Sequence, residues 1–60
     1  MENNEDKLLT VLETAKYLRL SKETIYRMVK SGTIPFFRIG RKLLFWKSAL
    51  DNWFKTEVEK

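Results

Sequence analysis

Apolar residues recur along this chain with two different periods, and the change of period divides it. From Val11 onward, Val11, Leu12, Ala15 and Leu18 fall towards one side when each residue is turned by 100°, with Glu13 and Tyr17 opposite. Thr10 precedes this run and Glu13 follows three residues later, the spacing of a capping box. A short amphipathic helix is predicted, with order beginning near Leu8 or Leu9. Arg19-Leu20 interrupts the pattern, and Ser21 is suited to cap a second helix. There Ile25, Met28 and Val29 make a compact apolar stripe. Glu23, Arg27 and Lys30 point directly away from it, with Thr24 and Tyr26 on the flanks. Gly32 fits the left-handed position after a last helical turn.

After Pro35 the period shortens. The runs FFRI and KLLFW flank Gly40-Arg41, which predicts a hairpin closed by a type II′ turn, with Gly40 at positive φ. Phe37 and Ile39 share one face of its first strand. From Leu43 to Trp46 every residue is apolar, so alternation leaves the inward face open. Ser48 is the expected cap of a third helix, on which Leu50, Trp53 and Phe54 cluster. Trp46, Trp53 and Phe54 are expected in the core, and Tyr17 partly exposed against the third helix or the hairpin. Residues 1–7 read as a disordered polar tail, 8–56 as one domain and 57–60 as a frayed end. The order helix, turn, helix, hairpin, helix predicts an α+β fold: a small winged helix-turn-helix with three short helices and a two-stranded β-hairpin wing between helices 2 and 3.

Composition narrows the chemistry. Sixty residues allow one small domain, and a chain of that size buries only about 60% of its unfolded surface. Cysteine and histidine are both absent, so neither disulfides nor the usual metal ligands are available, and no cofactor or metal is expected. Packing has to hold the fold, and eight aromatic residues suit that task. With no histidine, cysteine or phosphate-cradling glycine loop, a catalytic role is not expected. No apolar run has the length of a membrane span and the N-terminus lacks a signal-peptide core, so a soluble, cytoplasmic protein without a membrane or small-molecule partner is expected.

Charge changes the picture more. From Lys16 to Lys47 nine Lys or Arg meet one Glu, a net of +8; the two ends together carry three Lys against seven Asp or Glu, a net of −4. A strongly cationic centre between acidic ends suits a polyanion. A helix about 10–12 Å across fits the major groove of duplex DNA, its buried stripe anchoring it and its far side meeting base edges. On helix 22–31, Arg27 can donate two bonds to a guanine and Glu23 can accept from a cytosine amine one turn earlier. Lys22, Thr24, Tyr26 and Lys30 are placed for the sugar–phosphate backbone. In the wing, 36–46, Arg38, Gly40, Arg41 and Lys42 can reach backbone or a minor groove, where concentrated negative potential attracts arginine. Glu23 and Arg27 also have the spacing of an intrahelical ion pair, which contributes only about 0.3–0.5 kcal/mol.

The chain resembles excisionase-type, MerR-like winged helix-turn-helix domains. It carries L-T-x-x-E-x-A-x-x-L from Leu9, S-x-x-T-I-x-R from Ser21, G-x-I-P from Gly32, R-I-G-R from Arg38 and L-x-x-W-F from Leu50 to Phe54. The resemblance implies a non-enzymatic protein that binds and bends DNA, with recognition helix in the major groove and wing in the adjacent minor groove. It implies further copies bound side by side and assistance to a site-specific integrase of a mobile element. It places base reading at Glu23 and Arg27 and wing contact at Arg41. Where such domains usually have glycine in the turn, this chain has Arg19; a left-handed arginine would cost about 1–2 kcal/mol. Two other readings stay open: a small MerR-like transcriptional regulator, and a protein-interaction module with an aromatic surface.

Overall fold

The computed structural model describes residues 6–58. Its elements are β1 (Leu8–Leu9), α1 (Val11–Leu18), α2 (Lys22–Ser31), β2 (Phe37–Ile39), β3 (Lys42–Trp46) and α3 (Lys47–Val58). The fold is the expected winged helix-turn-helix, with one addition. The hairpin β2–β3 gains β1 on its other side, making an antiparallel sheet of order β1-β3-β2. Leu8 pairs with Trp46 and Leu9 with Phe45; across the hairpin Phe37 pairs with Leu44, Arg38 with Leu43 and Ile39 with Lys42. Two residues are too short a run to show a period, so β1 is invisible to pattern reading. No described helix is long and apolar enough to cross a membrane.

Local signals set the helix boundaries. Thr10 and Glu13 form the complete capping box, each backbone N–H bonding the other's side chain, at 3.2 and 2.9 Å. Ser21 accepts from the Thr24 N–H at 3.1 Å and caps α2. Both helices end in the same way. Leu20 N–H reaches Ala15 C=O and Arg19 N–H reaches Lys16 C=O; Thr33 and Gly32 repeat this on Met28 and Val29. Each pair of bonds requires a left-handed residue. Gly32 adopts it at φ 74°, and Arg19 adopts it at φ 61°. The glycine-to-arginine departure therefore leaves the turn's shape intact, and arginine bears the strain.

The core is Val11, Ala15, Ile25, Val29, Ile34, Phe45 and Leu50, with Leu9, Leu18, Met28, Leu43 and Trp53 packed around it. Phe45 is fully buried, which settles the open question in β3. Phe45 and Leu43 face inward, and Leu44 and Trp46 face out.

Four expectations need correction. Leu12 is 65% exposed, and Thr14 is buried in α1 instead. Counted from Val11, Leu12 lies at 100° while Thr14, Leu18 and Ala15 lie between −60° and 40°, so phase outweighs polarity. Trp46 is exposed because it sits one position beyond Phe45. Phe54 is exposed too, bordering a groove with Tyr17, Leu18, Arg19 and Asp51 instead of filling the core. Finally, Ser48 does not cap α3. That helix starts at Lys47, and Asp6 accepts from the Ser48 N–H at 3.0 Å and from its hydroxyl at 2.7 Å. Residues 1–5 of the expected tail, and 59–60 of the frayed end, lie outside the described residues; Asp6 and Lys7 are tied to the start of α3, the latter through a 2.8 Å bond from Lys47 N–H to its carbonyl. Tyr17 rests on α3 as expected. Its hydroxyl donates to Asp51, and the Lys47 ammonium lies 5.2 Å from its ring centre. Tyr17 first, and Asp51 second, raise the Lys47 pKa above its ordinary value.

Candidate nucleic-acid interface

The interface is built outward from α2. Ile25 and Val29 are buried and Met28 half-buried, so the opposite side of the helix is left in solvent. Glu23, Arg27 and Lys30 are all exposed there. Glu23 and Arg27 form no ion pair with each other among the described residues, where Lys47–Asp51 is such a pair at 3.3 Å. Both side chains keep their hydrogen-bonding capacity for another molecule.

The hairpin is the second part. Its two-residue connection, Gly40-Arg41, has Gly40 at φ 60°, and Arg19 is the non-glycine residue of positive φ among those described. Positive φ at the first turn position alone is the signature of type II′. Pairing with inward-facing Leu43 puts Arg38 on the inner face of the wing, although its end remains exposed. The result is an open cleft of about 610 Å³ between α2 and the wing, lined by Tyr26 and Lys30 from the helix, Phe36, Arg38 and Arg41 from the wing, and Val11, Val29 and Leu43 beneath. Three cations border it and no carboxylate does.

Four expected site residues thus converge: Tyr26, Lys30, Arg38 and Arg41. Lys22 is exposed at the start of α2. Thr24 is half-buried and shares a 2.9 Å hydrogen bond with the Ser21 hydroxyl, so its side chain serves the cap. Lys42 pairs with Ile39 and therefore stands on the outer face, away from the cleft. Phe36 belongs to the cleft and was not singled out from the sequence. Period-two counting back from Arg38 would have put it on the same face.

Comparison with known proteins agrees with this architecture. The pattern of the helix-turn-helix domain family matches residues 8–57. Proteins from two strains of Mycobacterium tuberculosis, each named "Putative DNA-binding protein", are 41% identical over 49 residues, covering 82% of this chain and 63% of theirs. A "Probable excisionase" of Saccharopolyspora erythraea is 44% identical over 46 residues, covering 77% of this chain and 47% of its own. The chain thus spans less than two thirds of the length of these relatives. No solved structure matches. A left-handed turn between two capped helices, a basic hairpin behind them and a family pattern running from Leu8 to Glu57 lead to one conclusion: the chain belongs to the helix-turn-helix domain family, in a winged form.

Proposed function

We propose that this chain binds double-stranded DNA sequence-specifically, as an excisionase-like architectural factor that assists a site-specific integrase. The carrying observation is the cleft in which Tyr26, Lys30, Arg38 and Arg41 meet without a carboxylate. One DNA strand fits it, phosphates against the cations and sugars against Tyr26 and Phe36. With the backbone held there, α2 lies in the major groove. Arg27 reads a guanine and Glu23 a neighbouring cytosine, while Lys22 and the first-turn N–H groups meet phosphate. Arg41, at the tip next to Gly40, extends to the adjacent minor groove. Thr24 acts through the cap, and Lys42, on the outer face, stands away from this contact.

The excisionase reading is supported by the "Probable excisionase" relative; the mycobacterial relatives carry a DNA-binding description alone. Footprinting on DNA flanking the chain's own gene separates the roles. Tandem protection beside a recombination junction is expected, whereas protection confined to a promoter would make the chain a regulator. DNA binding itself is tested by salt: contact with six or more phosphates lowers affinity by about 10³-fold or more between about 50 and 200 mM salt. A flat response would remove the reading.

A further inference from the structure

The outer face of the sheet is apolar where a solvated antiparallel sheet normally alternates to polar. The pairing register puts Leu8, Phe37, Ile39, Leu44 and Trp46 together on it. Leu8, Ile39 and Trp46 are exposed, and Phe37 stacks on Trp46 with ring centres 6.0 Å apart. A contiguous group of this kind marks an interaction surface more often than scattered single residues do. The strand β2 is also an edge, so its outer backbone groups are open to pairing.

Two further features identify the occupant. Lys42 is the charged member of this face, and the hairpin 34–46 carries Arg38, Arg41 and Lys42 with no Asp or Glu. A second copy packed sheet to sheet would oppose these cations with its own. An acidic partner is complementary. The cleft described above opens on the other side of the same hairpin, because Arg38 shares the inner face with Leu43 and Phe45. The outer face is thus free while the cleft is filled.

We infer that the outer face of the β1-β3-β2 sheet is a docking site for an extended segment of a second protein. The segment pairs along the β2 edge, with aliphatic or aromatic side chains at its alternate, outer-face positions and Asp or Glu flanking them. Its apolar residues cover Ile39, Phe37 and Trp46, and a flanking carboxylate meets Lys42. Strand addition of this type takes affinity from main-chain bonds and selectivity from alternate side chains. The inference rests on the sheet and not on the DNA reading.

A random short-peptide display library, panned on the full chain with and without duplex DNA, supplies every alternative chemistry at once. Enrichment of peptides with alternate apolar residues flanked by Asp or Glu is expected in both conditions, and an enriched peptide should shift the amide resonances of Phe37, Ile39 and Trp46. Ile39→Gln and Trp46→Gln, both exposed positions, should each weaken that peptide about tenfold or more while leaving DNA affinity unchanged. Enrichment of basic peptides, or of none that depend on these residues, overturns the inference. So does a concentration-dependent dimer abolished by the same substitutions, which makes the occupant a second copy. Equal loss of DNA affinity in both variants also overturns it, by assigning the face to DNA.

Discussion

The carboxylate of Asp6 accepts both the backbone N–H and the hydroxyl of Ser48, two residues 42 positions apart. Asp6 thereby does for α3 what Thr10 and Ser21 do locally for α1 and α2. Together with β1 it ties the N-terminal segment to the start of the last helix.

This clasp makes stability depend on acid. The Ser48 hydroxyl first, and its N–H second, hold Asp6 below its ordinary pKa of 3.8. A carboxylate with a lowered folded value stabilises the fold above its ordinary value, and the benefit is lost as pH falls through the folded value. Melting temperatures from pH 7 to pH 2 should therefore fall more steeply for wild type than for Asp6→Asn. The variant should start lower at neutral pH, and the gap should close in acid. A constant gap would mean that the charge on Asp6 contributes nothing.

Arg19 occupies a backbone conformation that costs a side-chain-bearing residue about 1–2 kcal/mol. Glycine removes that cost and gives back part of it in unfolded-state entropy. Arg19→Gly should stabilise the domain by about 0.5–1 kcal/mol in urea denaturation, and Arg19→Ala should bring no such gain.

Thr14 is fully buried, and its hydroxyl has no hydrogen-bond partner. Burying an unpaired hydroxyl costs about 1–3 kcal/mol on protein scales. Thr14→Val keeps the shape and removes the polar atom, so a gain of about 1 kcal/mol is expected in the same denaturation experiment. A loss of stability would show that the hydroxyl is satisfied in solution.

Sequence pattern carries part of this fold and not the rest. The stripe Ile25, Met28, Val29 was legible because each residue agrees with its neighbours in phase, polarity and capping. The winged order was legible because Pro35 and Gly40 mark where the period changes. Leu12 is apolar but lies 100° from Val11 on the helix, so identity and phase disagree there and phase decides. Trp46 misled because a run of four apolar residues carries no alternation. Asp6 was unreadable for another reason: its partner is set by tertiary closure, and nothing local distinguishes it from the acidic residues before it. At the candidate interface, the side of α2 that faces solvent followed from the helix alone. The convergence of Arg38 with Lys30 and Tyr26 needed the strand register.

Phe45 is the largest fully buried side chain and sits where the sheet meets α1 and α3. Phe45→Ala should cost about 3–5 kcal/mol. A core of this size supplies about that much in total, so the variant should be largely unfolded by circular dichroism at 25 °C. Persistence of native tryptophan fluorescence would contradict the assignment of Phe45 as the keystone between the layers.

Three arginines separate the parts of the proposed DNA contact. Arg27 faces away from the core on α2 and has no intramolecular ion-pair partner among the described residues. Its loss should remove a base contact, so Arg27→Ala should weaken the specific site by about 1–3 kcal/mol and relax preference at one base pair. Arg38 borders the cleft, where only phosphate is within its reach in the proposed pose. Arg38→Ala should weaken specific and non-specific duplexes alike and reduce the slope of log affinity against log salt by about one. Arg41 stands at the tip, and Arg41→Ala should do the same, with an added loss for duplexes whose minor groove is narrow beside the site. Titration of each variant against specific and scrambled duplexes at several salt concentrations distinguishes the three. If Arg27→Ala lowered both duplexes equally, α2 would be a backbone anchor and the sequence reading would have to come from elsewhere on the chain.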